Sequence, residues 1–324
     1  MFTRNVFVNG LSLVIFLLLL PWLLPMSLAI DILIYSIAAL AFSLMLGHAG
    51  MLSFGQSAFF ALGAYSAGYA LKISTLSAIP VLLIAAVAGA LGAMLVAFLT
   101  ARLKDVYFIL MTLAFAQLTY FVAMSWRSVT GGPSGLTGFA RPSLSFGFFS
   151  ISLDNRLTLY IFTAVVLLLI FALFYALILS PVGLALRGMK DNAERLQAVG
   201  YAVPRYRIVV FTISGAMTGI AGALSAFQWQ LVPVSKAAMN ESANIVFMSI
   251  LGGVSTPLGP ILGSTIYIWL SDVVSSYWAR WPILFGGFII FIVFFMRGGL
   301  MQGVYALSRR FSPGPKPGGE GGAS

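Results

Sequence analysis

Apolar residues run through this chain in blocks close to the length of a membrane crossing, separated by short polar stretches. Hydropathy marks ten blocks, near residues 11–30, 31–47, 54–71, 79–100, 106–125, 157–179, 207–230, 242–253, 257–277 and 282–297. A helix needs roughly 20 apolar residues to cross the hydrocarbon of a bilayer. The eighth block is too short for that and reads as a helix that extends upstream or enters the membrane broken. The pattern predicts an all-α polytopic protein: a first transmembrane helix over 1–30, a transmembrane domain over 31–304, and a tail over 305–324.

One polar stretch departs from the rest. Over Gly183–Gly200, Leu186, Met189, Ala193, Leu196 and Val199 share one helical stripe, and Arg187, Lys190, Asp191, Glu194 and Arg195 lie opposite. Arg187/Asp191, Lys190/Glu194 and Asp191/Arg195 stand at i,i+4, a spacing that supports an exposed helix. Ser180-Pro181 is a start signal, and Gly200 followed by Pro204 is a stop signal. A solvated loop or an interfacial helix would share this pattern. The 28 residues from Ser180 to Arg207 exceed what a turn between packed helices requires. A docking surface for a soluble partner explains them better.

Composition fixes the class. Hydrophobic residues make up 60% and charged residues 8%, whereas a soluble domain carries about 25% charged residues. The net charge of +10 therefore belongs to loops that orient the chain. With the N-terminus inside, twelve of the 18 lysines and arginines fall on the cytoplasmic side, among them Arg102, Lys104 and Arg205. Ten spans with both termini cytoplasmic is the consistent topology. Arg4, the run Leu11–Leu20 and Ser27-Leu28-Ala29 also fit a cleaved signal, but the apolar run continues through Pro21–Pro25, and the segment supplies a span the charge balance needs. The tail from Ser312 is Gly/Pro-rich and reads as disordered.

The chemistry available inside the membrane is small and polar. There are no cysteines and one histidine, so no thiolate or histidine metal site is expected. Leu46–Tyr65 carries Gly47, Gly50, Gly55 and Gly63, and Leu251–Gly263 has the same texture. Such runs permit close helix packing or broken helices lining a path. Gly47, His48, Ser53, Gln56, Gly252 and Gly253 are the candidate path residues, on the cytoplasmic side. The acids lie near span ends or in loops, and no phosphate-binding loop occurs. An ion-coupled carrier usually carries intramembrane carboxylates, so energy would come from another chain. A serine protease built on Gly132-Pro133-Ser134-Gly135 with His48 would need the two within hydrogen-bond reach, yet they are predicted near opposite faces.

Leu46–Tyr65 resembles the signature of the M-type inner-membrane permease of branched-chain amino acid ABC importers. Thr130–Gly138 resembles that family's external loop, and Arg187–Gly200 with Arg205-Tyr206 its cytoplasmic coupling loop. Gly252-Gly253, Gly259-Pro260, Gly263 and Arg297–Gly303 follow its pattern, so the likeness runs from about residue 30 to 304. Arg195-Leu196 stands where the family tends to have two alanines, and Pro133-Ser134 replaces its commoner Ser-Asp. The resemblance implies an inverted-repeat permease in the bacterial inner membrane, working by alternating access. It implies a second homologous permease subunit, two ATPase subunits that bind the ATP, and a periplasmic or surface-anchored solute-binding protein. The permease itself would be no enzyme and need no cofactor. The ATPase-coupling role would fall on Arg187, Lys190, Asp191, Glu194, Leu196 and Gly200. Permeases of this fold also carry urea, short amides or sugars.

Overall fold

The computed structural model of the protein describes residues 2–103, 105–145 and 150–277, with isolated positions 283, 286, 287, 300 and 301. The expected tenth span, the closing Arg297–Gly303 motif and the tail lie outside the described residues. The described chain opens with helices α1 (Phe2–Leu23), α2 (Met26–Ser43), α3 (Gln56–Ile73), α4 (Ala78–Thr100) and α5 (Asp105–Ser125). A short helix α6 (Arg127–Thr130) and a 3₁₀ turn at Gly132–Ser134 lead into an antiparallel ribbon, β1 (Ser143–Ser145) with β2 (Ser150–Ser152). Then come α7 (Arg156–Leu179), α8 (Pro181–Ala198), α9 (Val203–Trp229), a 3₁₀ turn at Val234–Ala237, α10 (Met239–Gly252) and α11 (Gly259–Tyr277).

Among the described residues, five segments are long and apolar enough to cross a membrane: Met26–His48, Ala78–Thr100, Val106–Ser125, Arg156–Leu179 and Val203–Trp229. α10, at 14 residues, is about 21 Å long and falls short of a hydrocarbon core of about 30 Å. It stops at Gly253, whose φ of 108° lies in the left-handed region. The break between the first two helices falls at Leu24-Pro25 rather than near residue 30. Pro25 has no N–H to extend the α1 ladder, and its fixed φ suits the start of α2. α1 packs on α7, where Tyr160 donates its hydroxyl to Leu17 O at 2.6 Å.

Most of α2 is apolar, and its residues from Ile32 to Ile34 and Ile37 to Phe42 are fully buried. α4 and α7 instead present one face outward, with Leu83, Val87, Phe98 and Leu169 each more than half exposed, as a lipid-facing side must be. The other face of α4 meets α9 through glycine. A Cβ on Gly89 would stand 2.3 Å from Gly215 O, and one on Gly219 would stand 2.5 Å from Ala85 O. Across the same helix, a Cβ on Gly63 of α3 would lie 2.1 Å from Gly219 O, and one on Gly222 would lie 2.0 Å from Phe60 O. Gly215, Gly219 and Gly222 follow i, i+4, i+7 spacing, so three backbones converge along α9. Lipid tails give helices no hydrophobic reason to associate, and close small-residue contact supplies the attraction instead.

Gly219→Val should therefore push α9 away from both neighbours. Overpacking costs about 1–3 kcal/mol or more, and we expect a lower thermal midpoint in detergent and less monodisperse protein. Gly10→Ala, where a Cβ would meet nothing within 4 Å, should leave both unchanged.

Candidate functional site

The three segments singled out in the sequence meet at one end of the bundle. The first is the run that closes α2. There the ladder widens into a π turn, Leu44–His48, a feature that releases carbonyls from regular pairing and gathers at functional sites. Glycine is required at 47, because a Cβ would fall 1.9 Å from Val254 O. Ser43 Oγ donates to the same Val254 carbonyl at 2.7 Å. The second segment, the loop after α10, is thus seated on the π turn. Its own glycines allow that seat: a Cβ on Gly252 would lie 1.7 Å from Gly259 O, and one on Gly263 1.9 Å from Met248 O.

The third segment is α8. Ser180 Oγ accepts from Gly183 N at 3.3 Å, with Pro181 at the first helical position. Leu186 and Met189 are buried. The helix expected over 183–200 runs 181–198 and is interrupted at Asn192, whose backbone is extended. Asn192 Oδ1 accepts from Arg195 N at 2.8 Å, the geometry of an N-cap. α8 is therefore two short helices, and the interruption breaks the register that the i,i+4 pairs spanning Asn192 would need. The expected apolar stripe is correspondingly shortened. Leu196 is half-buried and packs on Gly188, its Cδ1 3.3 Å from where a Cβ there would stand, while Val199 is 73% exposed. At the far end, Gly200 N bonds Gln197 O at 3.0 Å and Tyr201 N bonds Leu196 O at 3.3 Å, with φ of 95° at Gly200. This is a Schellman stop that needs positive φ, as the stop signal predicted.

Arg187, Asp191 and Glu194 lie on the exposed side of α8. Lys190 is exposed as well, and its ammonium also donates to Gly47 O at 2.7 Å, a tie the sequence did not announce. Gly50, with φ of 71°, leaves room for the lysine stem, since a Cβ there would lie 3.2 Å from Lys190 Cγ. Around this tie lies a cavity of about 390 Å³ lined by Gly50, Met51, Lys190, Asn192, Ala193 and Arg207, among others. Arg207 donates to Leu103 O at 2.8 Å, joining the α4–α5 turn to the same junction.

The remaining candidates make contacts within the bundle. His48 is buried edge-on against Phe174, with ring centroids 5.3 Å apart, and its Nδ1 is 3.3 Å from Ser43 O. Ser53 Oγ accepts from Gly55 N at 3.1 Å, shaping the entry to α3. Gln56 is fully buried; it donates to Ser214 Oγ at 3.1 Å and accepts from Thr218 Oγ1 at 2.7 Å. Ser214 in turn donates to Ala41 O at 2.8 Å, so α2, α3 and α9 share one satisfied network.

The opposite end of the bundle holds what the sequence reading missed. Arg141 donates to Phe227 O and Gln228 O, each at 2.9 Å, capping α9. Leu136 pairs with Val232 across an isolated bridge, for which Gly131, Gly132 and Gly135 adopt positive φ. Beside them Lys236 pairs with Glu241 at 3.0 Å, and Tyr35 donates its hydroxyl to the same carboxylate. Trp229 Nε1 donates to Asp31 Oδ1 at 3.1 Å. These charges were visible only as span-end residues, because nothing local in the sequence brings Asp31 and Tyr35 to Lys236. Ser134 lies at this end, beyond α5. His48 lies toward the start of α5: its neighbours Ala49 and Gly50 share a cavity with Val106 and Ile109, and Phe54 N donates to Thr112 Oγ1. About 20 Å of helix separates Thr112 from Ser125, so the serine and the histidine cannot form a nucleophile–base pair.

Several helices long and apolar enough to cross a membrane, packed through glycine on backbone, mark a multi-span helical membrane protein. The chain belongs to the family described as branched-chain amino acid transport system / permease component, whose sequence profile matches residues 24–296. It is 24% identical over 288 residues to the high-affinity branched-chain amino acid transport system permease protein LivM of Salmonella typhimurium, covering 83% of this chain and 68% of that protein. LivM of Escherichia coli is 25% identical over the same length and coverage. The autoinducer 2 import system permease protein LsrC of an Enterobacter species is 27% identical over 263 residues, 78% of this chain and 72% of that one. No solved structure matches the chain.

Asn192→Ala should remove the cap of the second half of α8. Caps are worth about 0.5–2 kcal/mol, so amide exchange over 193–199 should accelerate several-fold while 183–190 keeps its protection. Equal acceleration in both halves would mean that α8 is one cooperative helix.

Proposed function

We propose that this chain is the membrane-spanning permease subunit of an ATP-driven importer of branched-chain amino acids in the bacterial inner membrane. In this reading it has ten spans with both termini cytoplasmic. It pairs with a second homologous permease, rests on two ATPase subunits that bind the ATP, and receives solute from a binding protein. It performs no chemistry itself. Family membership supports the transport role, and the observation that carries the coupling is the tie from α8 to the π turn. A capped, charged, exposed segment is joined through Lys190 to the backbone that closes α2. Force applied to α8 by an ATPase would then reach α2 and α10 without crossing a flexible loop. Arg187, Asp191 and Glu194 would meet the ATPase, and Leu196 and Gly200 would hold the shape of the segment.

The likeness to LsrC favours a second reading, a permease of the same fold for another small polar solute such as urea or a short amide. Uptake assays separate the two. The complete importer in proteoliposomes should take up leucine when ATP is supplied, with urea and acetamide failing to compete. ATP-driven uptake of urea or acetamide without leucine uptake would select the second reading. Within the first, Leu196→Asp would place an unpaired charge in the contact with Gly188, at a cost of several kcal/mol in order of magnitude. It should abolish solute-stimulated ATP hydrolysis while the permease still inserts. Intact stimulation would reduce α8 to a connecting loop.

A further inference from the structure

The end of the bundle opposite α8 contains a chamber of about 410 Å³, within the range of small-ligand pockets. Its wall carries both signs of charge. On one side stands Asp31, whose carboxylate accepts one hydrogen bond, from Trp229, although an ionised carboxylate can accept about four. On the other stands Lys236, with two of its three donors used by Glu241 and Tyr35 and its side chain 21% exposed. Asp31 lies within electrostatic reach of Lys236. The same wall also carries the apolar side chains of Leu231, Met248 and Ile268. The backbone bends to build this place: Gln230 adopts a left-handed φ of 51°, unusual for a residue with a side chain, and sets both Trp229 and Leu231 into the wall. Asp31 lies just over one turn into the candidate span Met26–His48, and ionisable residues inside such segments mark solute pathways. Stability alone asks for the Lys236–Glu241 pair; it does not ask for a second carboxylate with spare capacity facing the same space.

We infer that this chamber reads both ends of a zwitterion, with Asp31 receiving an ammonium group, Lys236 receiving a carboxylate, and Leu231, Met248 and Ile268 receiving an aliphatic side chain. The inference rests on the amino-acid reading of the preceding section and adds the residues that select the solute. It makes Asp31 and Lys236 specificity residues of the permease itself, separate from whatever the binding protein selects.

The chain has no cysteine, so Ser271→Cys places one thiol on the chamber wall. In the complete importer in proteoliposomes, alkylation of that thiol, read on this chain alone, reports occupancy. With leucine about tenfold above the concentration that half-fills the chamber, alkylation should slow roughly tenfold, because only the unoccupied chamber is labelled. 4-Methylpentanoate, which lacks the ammonium, and 3-methylbutylamine, which lacks the carboxylate, should leave it nearly unchanged. Adding Asp31→Asn or Lys236→Gln should remove the protection by leucine while the unprotected labelling rate stays as it was. Normal leucine uptake without protection at position 271, or protection that survives both substitutions, would overturn the assignment. An unsubstituted importer that takes up no leucine would instead overturn the amino-acid reading and this inference with it.

Discussion

Backbone touches backbone at both critical places in this protein, and the rest of the structure is arranged around that constraint. Along α9, a carbonyl oxygen occupies the space a side chain would need at Gly63, Gly89, Gly219 and Gly222. At the end that carries α8 the same holds at Gly47, Gly252 and Gly263. In lipid such contact is the main source of helix adhesion, because each close atom pair contributes only about 0.1–0.2 kcal/mol and many are needed. The welds also fix positions. Once Gly47 lies against Val254, the carbonyl of Gly47 is presented to α8, and the lysine of α8 has a defined partner.

The two ends of the bundle divide the chemistry. The end that carries α8 is a junction of backbone: a π turn, a glycine-broken loop and a capped helix, held by Ser43, Lys190 and Arg207 bonding to carbonyl oxygens. The opposite end is a junction of side chains, where Tyr35, Lys236 and Glu241 join α2 to α10 and Arg141 holds the end of α9. Between them Gln56 fills the centre with a network that leaves no partner unmet on Ser214 or Thr218. In the proposed importer, this layout puts solute recognition and ATP-driven motion at opposite ends of α2, which runs between them as a buried apolar rod.

Much of this was legible in the sequence. Period and length gave the helices, since a 20-residue apolar run in a chain with 8% charged residues has few alternatives. The polar stretch around Arg187–Gly200 stood out for its charge pattern, and its start and stop followed from Ser180-Pro181 and Gly200. Other features were hidden for physical reasons. The break at Asn192 competes with a helical stripe that continues on either side of it, and only the asparagine's preference for caps hinted at it. The tie from Lys190 depends on a carbonyl freed by the π turn more than a hundred positions earlier. The chamber at the opposite end draws on α2, α9, α10 and α11, and no local pattern in any of these announces the others.

The central claim is that α8 and the segment around the π turn move as one body. Met51 and Ala193 both line the cavity between them, and the chain offers no competing thiol. With both replaced by cysteine and joined by a short bifunctional thiol reagent, the complete importer should keep taking up leucine at the rate of its unlinked counterpart, because the link spans parts that do not separate. Loss of uptake on linking, restored when a reductant cleaves the linker, would mean that α8 must slide over the π turn during transport and would contradict the account.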